Sequence, residues 1–301
     1  PNQIDVDMEY YYNGYLFNAD AIEKVYNSSM ILYFFEQILE DGKSPTNLID
    51  PNLSVDPKRI KRLIKNENNR NTLIQIIKDG SIVAEVLEKF SIDNLNKENY
   101  FISLLFYMGL LTIKEPERNR LRLVIPNYSI QRVYWEQVRL LIEDNSQLVK
   151  VNTDWLEKSI NTIAFDGNIH DFIDYISKNA FSKLSDYDLQ RFDEKYIKVL
   201  LLSYLLLNNI YIPMSEYETT PGRVDIFLQR NPRFPQVEYE WVWELKYCKA
   251  KSKKTEIAQK RKEGLEQLNQ YIISHRLKDR PNLKSALLLF IGKDKYEIIE
   301  N

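Results

Sequence analysis

The stretch Glu238-Tyr239-Glu240-Trp241-Val242-Trp243-Glu244-Leu245-Lys246, near the C-terminus, constrains the fold of this chain most. Its odd positions are bulky and apolar; its even positions, Val242 apart, are charged. Alternation with a period of two, in aromatic and branched residues, predicts a β-strand with one buried face. Residues two apart on a strand stand about 7 Å from each other on the same face, so Glu244 and Lys246 project side by side. An acid and an amine held this way form either a site or a solvated stripe. The strand alone does not decide.

The deciding neighbour lies upstream. Pro221-Gly222-Arg223-Val224-Asp225-Ile226-Phe227-Leu228 reads as a Pro-Gly turn feeding a short apolar strand broken by one carboxylate. Asp225 is costly there unless something compensates its charge. If the two strands are neighbours, Asp225 and Glu244 converge. At an effective dielectric of about 20, two carboxylates about 4 Å apart repel by roughly 4 kcal/mol. A divalent cation reverses that sign, and two acids plus a substrate phosphate are ligands that Mg²⁺ favours. Lys246 is then placed to orient or help deprotonate a water, or to hold a phosphoryl oxygen.

Asp225, followed by Glu244-Leu245-Lys246 on the next strand, resembles the PD-(D/E)XK nuclease superfamily. Gly264-Leu265-Glu266-Gln267-Leu268-Asn269-Gln270-Tyr271 is similar to the Gln-x-x-x-Tyr helix that many branches place after the lysine. Gln267 and Tyr271, four apart, share one helix face. The turn Gly222-Arg223-Val224-Asp225 resembles the branch in which the nuclease domain follows an AAA-ATPase-like domain. The resemblance is carried by the last third of the chain, and more loosely by the whole. It implies a restriction-endonuclease-like mixed sheet flanked by helices, with Mg²⁺ or Mn²⁺ as cofactor. The substrate it implies is DNA, with RNA left open, cut by metal-dependent phosphodiester hydrolysis. Asp225 and Glu244 would hold the metal, Lys246 would act on the water or the phosphate, and Gln267 and Tyr271 would support the site. An acid opening the preceding helix often reaches the metal in this family; Glu194 is the match, with Asp193 beside it. An acid at a helix N-terminus is also favoured by the helix dipole, so Glu194 has a second explanation.

Charge refines this. Lys and Arg number 41 against 43 Asp and Glu, a net charge of −2, so no global basic field advertises nucleic acid. A local one is available directly after the acid pair: Lys249, Lys251, Lys253, Lys254, Lys260, Arg261 and Lys262 face Glu256 alone. Such a cluster suits a phosphate-tracking surface, and a solvated helix start explains it nearly as well. The single cysteine, Cys248, permits no internal disulfide, and His170 with His275 make a histidine metal cluster improbable. Apolar runs such as Ala286 to Ile291 are far too short to span a bilayer, and no signal peptide is visible. A cytoplasmic protein is expected, its oligomeric state open, a dimer included.

The N-terminal half has a helical rhythm: Ala21 to Leu39, Asp56 to Asn66, Asn71 to Lys78, Ile82 to Phe90 and Lys97 to Met108. Leu110 to Ile113 and Leu121 to Ile125 read as a hairpin, followed by a helix from Ile130 to Ile142. Helices followed by a two-stranded wing predict a winged-helix-like module, read as a packing module in preference to a DNA-groove reader. The basic stretch Lys58, Arg59, Lys61, Arg62 and Lys65 is read as a solvated face. Tyr10 to Phe17 and Val25 to Ser29 are either the closing part of an AAA-ATPase-like domain or a surface aromatic hairpin. The start at Pro1 leads us to expect sequence upstream. Gly42-Lys43-Ser44 lacks the first glycine and leading strand of a phosphate loop, so these residues should carry no ATP site and Gly42 should cap a helix. With Asp144 to Gln147 as the linker, two domains are expected: 1–145, helical and winged-helix-like, and 146–301, nuclease-like. The competing reading is a non-catalytic nucleic-acid-binding or protein-interaction module in which Glu244 and Lys246 form a surface pair.

Overall fold

Asparagine caps and left-handed glycines divide the N-terminal half of the computed structural model into short helices. The structure describes residues 6–42, 44–45, 48–49, 63–64, 66–89, 94, 97–145, 151–184 and 193–301. The chain divides into two units, Pro1–Val138 and Arg139–Asn301.

The first unit holds α1 (Met8–Tyr12), α2 (Ser28–Asp41), α3 (Glu67–Asp79), β1 (Ser81–Ala84), α4 (Glu98–Tyr107), β2 (Thr112–Glu117) and β3 (Arg120–Val124), before α5 (Tyr128–Asn145). The side chain of Asn27 accepts from the Met30 amide, and that of Asn66 from the amides of Asn68 and Asn69. Gly42 (φ 69°) and Gly80 (φ 66°) close α2 and α3. Gly42 is thus a helix C-cap. Lys43 and the basic stretch Lys58, Arg59, Lys61, Arg62 and Lys65 lie outside the described residues, as does most of the helix expected from Asp56.

Three expectations are corrected here. The helix expected from Ala21 starts only at Ser28, because Tyr15 and Val25 pair in a β-bridge. The aromatic stretch is no surface hairpin: Tyr11, Tyr12 and Tyr15 are buried, the first two on α1. The helix expected over Ile82 to Phe90 begins instead with the strand β1, since Gly80 ends α3 and the β-branched Ile82 and Val83 pair against Leu123 and Arg122 of β3. The sheet order is β1-β3-β2, with antiparallel neighbours. Helix, strand, helix and hairpin follow one another here, and β1 adds a third strand to the expected two-stranded hairpin.

The second unit continues with α6 (Thr153–Asn161), a π-helical turn (Thr162–Asp166), α7 (His170–Asn179), α8 (Glu194–Leu205), β4 (Tyr211–Glu218), β5 (Arg223–Arg230), β6 (Glu240–Cys248), α9 (Lys254–Ile272), β7 (Leu283–Ile291) and β8 (Lys295–Glu300). The strands form one sheet in the order β4-β5-β6-β7-β8. Neighbours are antiparallel except β6 and β7, which run parallel and are joined through α9. A parallel pair requires such a crossover. The result is the expected restriction-endonuclease-like mixed sheet flanked by helices, with β8 an additional edge strand.

The strand β6 departs from the expected single buried face. Trp241 donates to the Ile163 carbonyl and Trp243 meets Phe172 of α7, while the alternate positions Val242, Glu244 and Lys246 are buried as well. A central strand covered on both sides must neutralise whatever charge it carries. Glu240 accepts from the Arg230 amide and from Arg280, whose guanidinium also lies over the Phe227 ring.

Candidate active site

Strands β5 and β6 pair through Leu228–Trp241, Phe227–Val242 and Ile226–Trp243. One step further along that register, Asp225 comes opposite Glu244, and there the backbone pairing stops. The Asp225 carboxylate takes over the ladder: its Oδ2 accepts from the Leu245 amide at 2.9 Å. The two acids expected to converge are therefore brought together by neighbouring strands.

Glu244 and Lys246 do not form a surface pair, and the competing reading loses that support. Glu244 is 2% and Lys246 7% exposed, and Lys246 Nζ donates to Glu244 Oε1 at 2.5 Å and to the Leu245 carbonyl at 3.1 Å. Glu244 Oε2 is buried with no hydrogen-bond partner among the described residues. Burial above all, then the nearby Asp225, pushes the Glu244 carboxyl up to about 8, although Lys246 pulls the other way. Burial alone would lower the Lys246 ammonium; the contact with Glu244 more than offsets it, and its pKa is raised.

Glu194 follows the cap residue Asp193, whose side chain accepts from the Tyr196 amide. Glu194 Oε2 accepts from the Tyr247 amide of β6 at 3.2 Å. Burial raises its pKa, Lys246 lowers it and Asp225 raises it. The acid opening α8 thus reaches the strand that carries Glu244 and Lys246, but through a backbone amide.

Helix α9 lies across this region because Gly264 lets it approach. A Cβ at Gly264 would stand 2.5 Å from Leu287 Cδ1 and 3.1 Å from Lys246 Cγ. Tyr271, one turn beyond Gln267, is buried and rests over Gly222, where an added Cβ would lie 3.1 Å from its ring. Burial first, then Glu244, Asp225 and Glu216, pushes the Tyr271 hydroxyl up to about 12. Gln267 is half-buried and makes no side-chain hydrogen bond among the described residues.

The basic cluster after β6 separates into two groups. Lys249, Lys251, Lys253 and Lys254 are exposed and form no ion pair among the described residues. Lys260 and Lys262 face Glu263 and Glu266 at 3.7 and 3.8 Å, and Arg261 grips Glu297 of β8 through two nitrogens at 2.6 to 2.9 Å.

Two residues without an assigned role in the sequence join the acids. Lys198 of α8 donates to Asp225 Oδ1 at 3.2 Å and to Glu216 of β4. The available signal was a lysine between Ile197 and Val199 in a helix otherwise rich in leucine. Nothing in the sequence marks Glu216.

Among the described residues no group of three or more His, Cys, Asp and Glu side chains could hold a metal ion by itself. Two hard carboxylates are present, however, one with a buried oxygen that has no hydrogen-bond partner among the described residues. That suits a cation such as Mg²⁺, which takes one or two protein carboxylates and completes its shell with water and phosphate.

Residues 192–300 match the family model of the PD-(D/E)XK nuclease superfamily. Over that part the chain is similar to nuclease-superfamily domains, the mixed sheet agrees with that likeness, and nucleic acid is the substrate class it suggests. No curated protein matches the chain. No helix among the described residues is long and apolar enough to cross a membrane.

Proposed function

We propose that residues 192–300 hydrolyse phosphodiester bonds of DNA at a centre formed by Asp225, Glu244 and Lys246. The observation that carries this reading is the buried Glu244 Oε2 opposite Asp225, without a hydrogen-bond partner among the described residues and with Lys246 alongside. A buried carboxylate oxygen without a partner is costly, and a ligand that completes it explains its retention. Asp225 and Glu244 are the residues that would hold Mg²⁺ or Mn²⁺, with Glu194 close by. The ion supplies a more acidic water and charge stabilisation at the phosphorus. Lys246, once its grip on Glu244 is shared, can orient that water or donate to a non-bridging phosphate oxygen. Tyr271 and Gln267 support the strand and the turn at Gly222 from α9. The exposed Lys249, Lys251, Lys253 and Lys254 would follow the phosphate backbone. The further likeness to nuclease domains that follow an AAA-ATPase-like domain rests on Tyr10 to Phe17, Val25 to Ser29 and the Gly222 turn.

The test is cleavage of plasmid DNA, linear DNA and single-stranded RNA with Mg²⁺ or Mn²⁺, against chelator. Cleavage of DNA that requires the ion and vanishes in Asp225→Asn and Glu244→Gln is the expected result. A second reading, a nuclease-like scaffold that binds without cutting, draws on the lysines that already neutralise the acids, Lys198 on Asp225 and Lys246 on Glu244. Retention of DNA with no cleavage under any ion would favour it. Preferential cutting of RNA would keep the chemistry and change the substrate.

A further inference from the structure

Lys198 is 8% exposed, on a helix whose residues from Tyr196 to Leu205 are all buried. An ammonium is rarely buried so deeply without ionic partners. Its partners are Asp225 Oδ1 and Glu216 Oε1. The other oxygen of Asp225 is engaged by the Leu245 amide, so both are directed from within the fold. Glu216 lies opposite Asp225, between the pairs Ser215–Ile226 and Tyr217–Val224, and adopts φ 54°. A residue with a Cβ seldom holds that left-handed conformation, and it persists where surroundings fix it. Here the conformation delivers a carboxylate to the Lys198 ammonium.

Two facing carboxylates with a cation between them describe half of a two-ion centre, except that the cation is a lysine. The Lys198 ammonium is paired with both carboxylates at once. We infer that Lys198 is a built-in cation that fills the gap between Asp225 and Glu216 and restricts the centre to one divalent ion, held at Asp225 and Glu244. This rests on the metal-dependent reading above and gives it an ion count. Lys198 is a positioning residue: it acts through Asp225, and a second ion beside it would meet its positive charge at close range.

The count is measured by titrating the full chain with Mn²⁺ and following free ion by electron paramagnetic resonance, beside cleavage assays and circular dichroism. Wild type and Lys198→Arg should each bind one ion. Lys198→Met, neutral and of similar length, should bind two, and the second should disappear in Lys198→Met with Glu216→Gln. Glu216→Gln alone should keep one ion at near wild-type affinity, because Glu216 holds none while Lys198 is present. If Lys198→Met does not fold, Lys198→Gln takes its place in the same titration and should likewise bind two ions. Two ions in wild type, one ion in a folded Lys198→Met, or loss of ion binding in Glu216→Gln would each overturn the inference while cleavage leaves the metal-dependent reading standing. A wild type that neither binds Mn²⁺ nor cuts would remove that reading, and this inference with it.

Discussion

Glu244 is the residue on which stability and chemistry pull in opposite directions. Its carboxyl titrates near 8 because burial and Asp225 penalise its charge. A carboxyl whose pKa is raised on folding stabilises the fold below its unfolded value of about 4.3, and that contribution is lost as pH climbs through the folded value. For the ion-free protein, melting temperature should therefore fall between about pH 5 and 8 more steeply than in Glu244→Gln. Added Mg²⁺ should restore the loss at the alkaline end in wild type and not in the variant, since ligation requires the ionised form. Parallel melting curves for the two proteins across that range would show that the charge is already compensated. Asp225, Glu244 and Lys246 were legible in the sequence because charge interrupting an apolar alternating pattern is visible without a structure. Lys198 and Glu216 were not, because their meeting depends on α8 lying against β4 and β5, a contact remote in sequence.

At the scale of elements, α9 fixes the site through one missing side chain. Gly264 sits where a methyl group would press on Leu287 and on the stem of Lys246. Gly264→Ala gains about 1 kcal/mol of helix propensity, and overpacking a filled core costs roughly 1 to 3 kcal/mol. Net destabilisation should be small, about 0 to 2 kcal/mol in denaturant unfolding. The shift of Lys246 should nevertheless lower cleavage well beyond what that loss of folded protein explains. Activity that merely follows the folded fraction would mean that α9 yields and Lys246 keeps its place. The same helix explains why the β6 sequence shows only one buried face: its charged positions resemble a solvent stripe until α9 covers them and ion pairs compensate them. β8 escaped notice for a related reason. Lys295-Tyr296-Glu297-Ile298-Ile299-Glu300 is a short polar edge strand whose partner β7 and whose anchor, Arg261 on Glu297, come from elsewhere in the chain. The apolar spacing of β1 also fits a helix, and pairing with β3 settles the choice.

For the whole molecule, a net charge of −2 means that affinity for a polyanion must come from a patch. The sequence offered seven basic residues after β6, and the fold divides them by availability. Lys260, Arg261 and Lys262 are engaged by Glu263, Glu297 and Glu266, whereas Lys249, Lys251, Lys253 and Lys254 stand exposed at the turn into α9. That turn follows directly on the strand of Lys246, and the N-terminus of α9 adds a favourable dipole for phosphate. Each phosphate neutralised by such a side chain contributes about 0.9 to the salt slope on duplex DNA. Reversing Lys249, Lys251, Lys253 and Lys254 to Glu should weaken DNA binding strongly and flatten its salt dependence, measured by fluorescence anisotropy over a salt series. Melting temperature should barely move, because exposed charges contribute little to stability. Ion binding at Asp225 and Glu244 should be unchanged, since the sheet sets both. Arg261→Glu should behave in the opposite sense, lowering melting temperature through like charge against Glu297 and leaving the salt slope nearly intact. If the fourfold reversal keeps wild-type affinity and slope, the substrate path does not cross this turn. Neutralising Lys58, Arg59, Lys61, Arg62 and Lys65 in the same assay then decides whether those residues carry it: a slope that falls places DNA there, and a slope that stays places it on neither cluster.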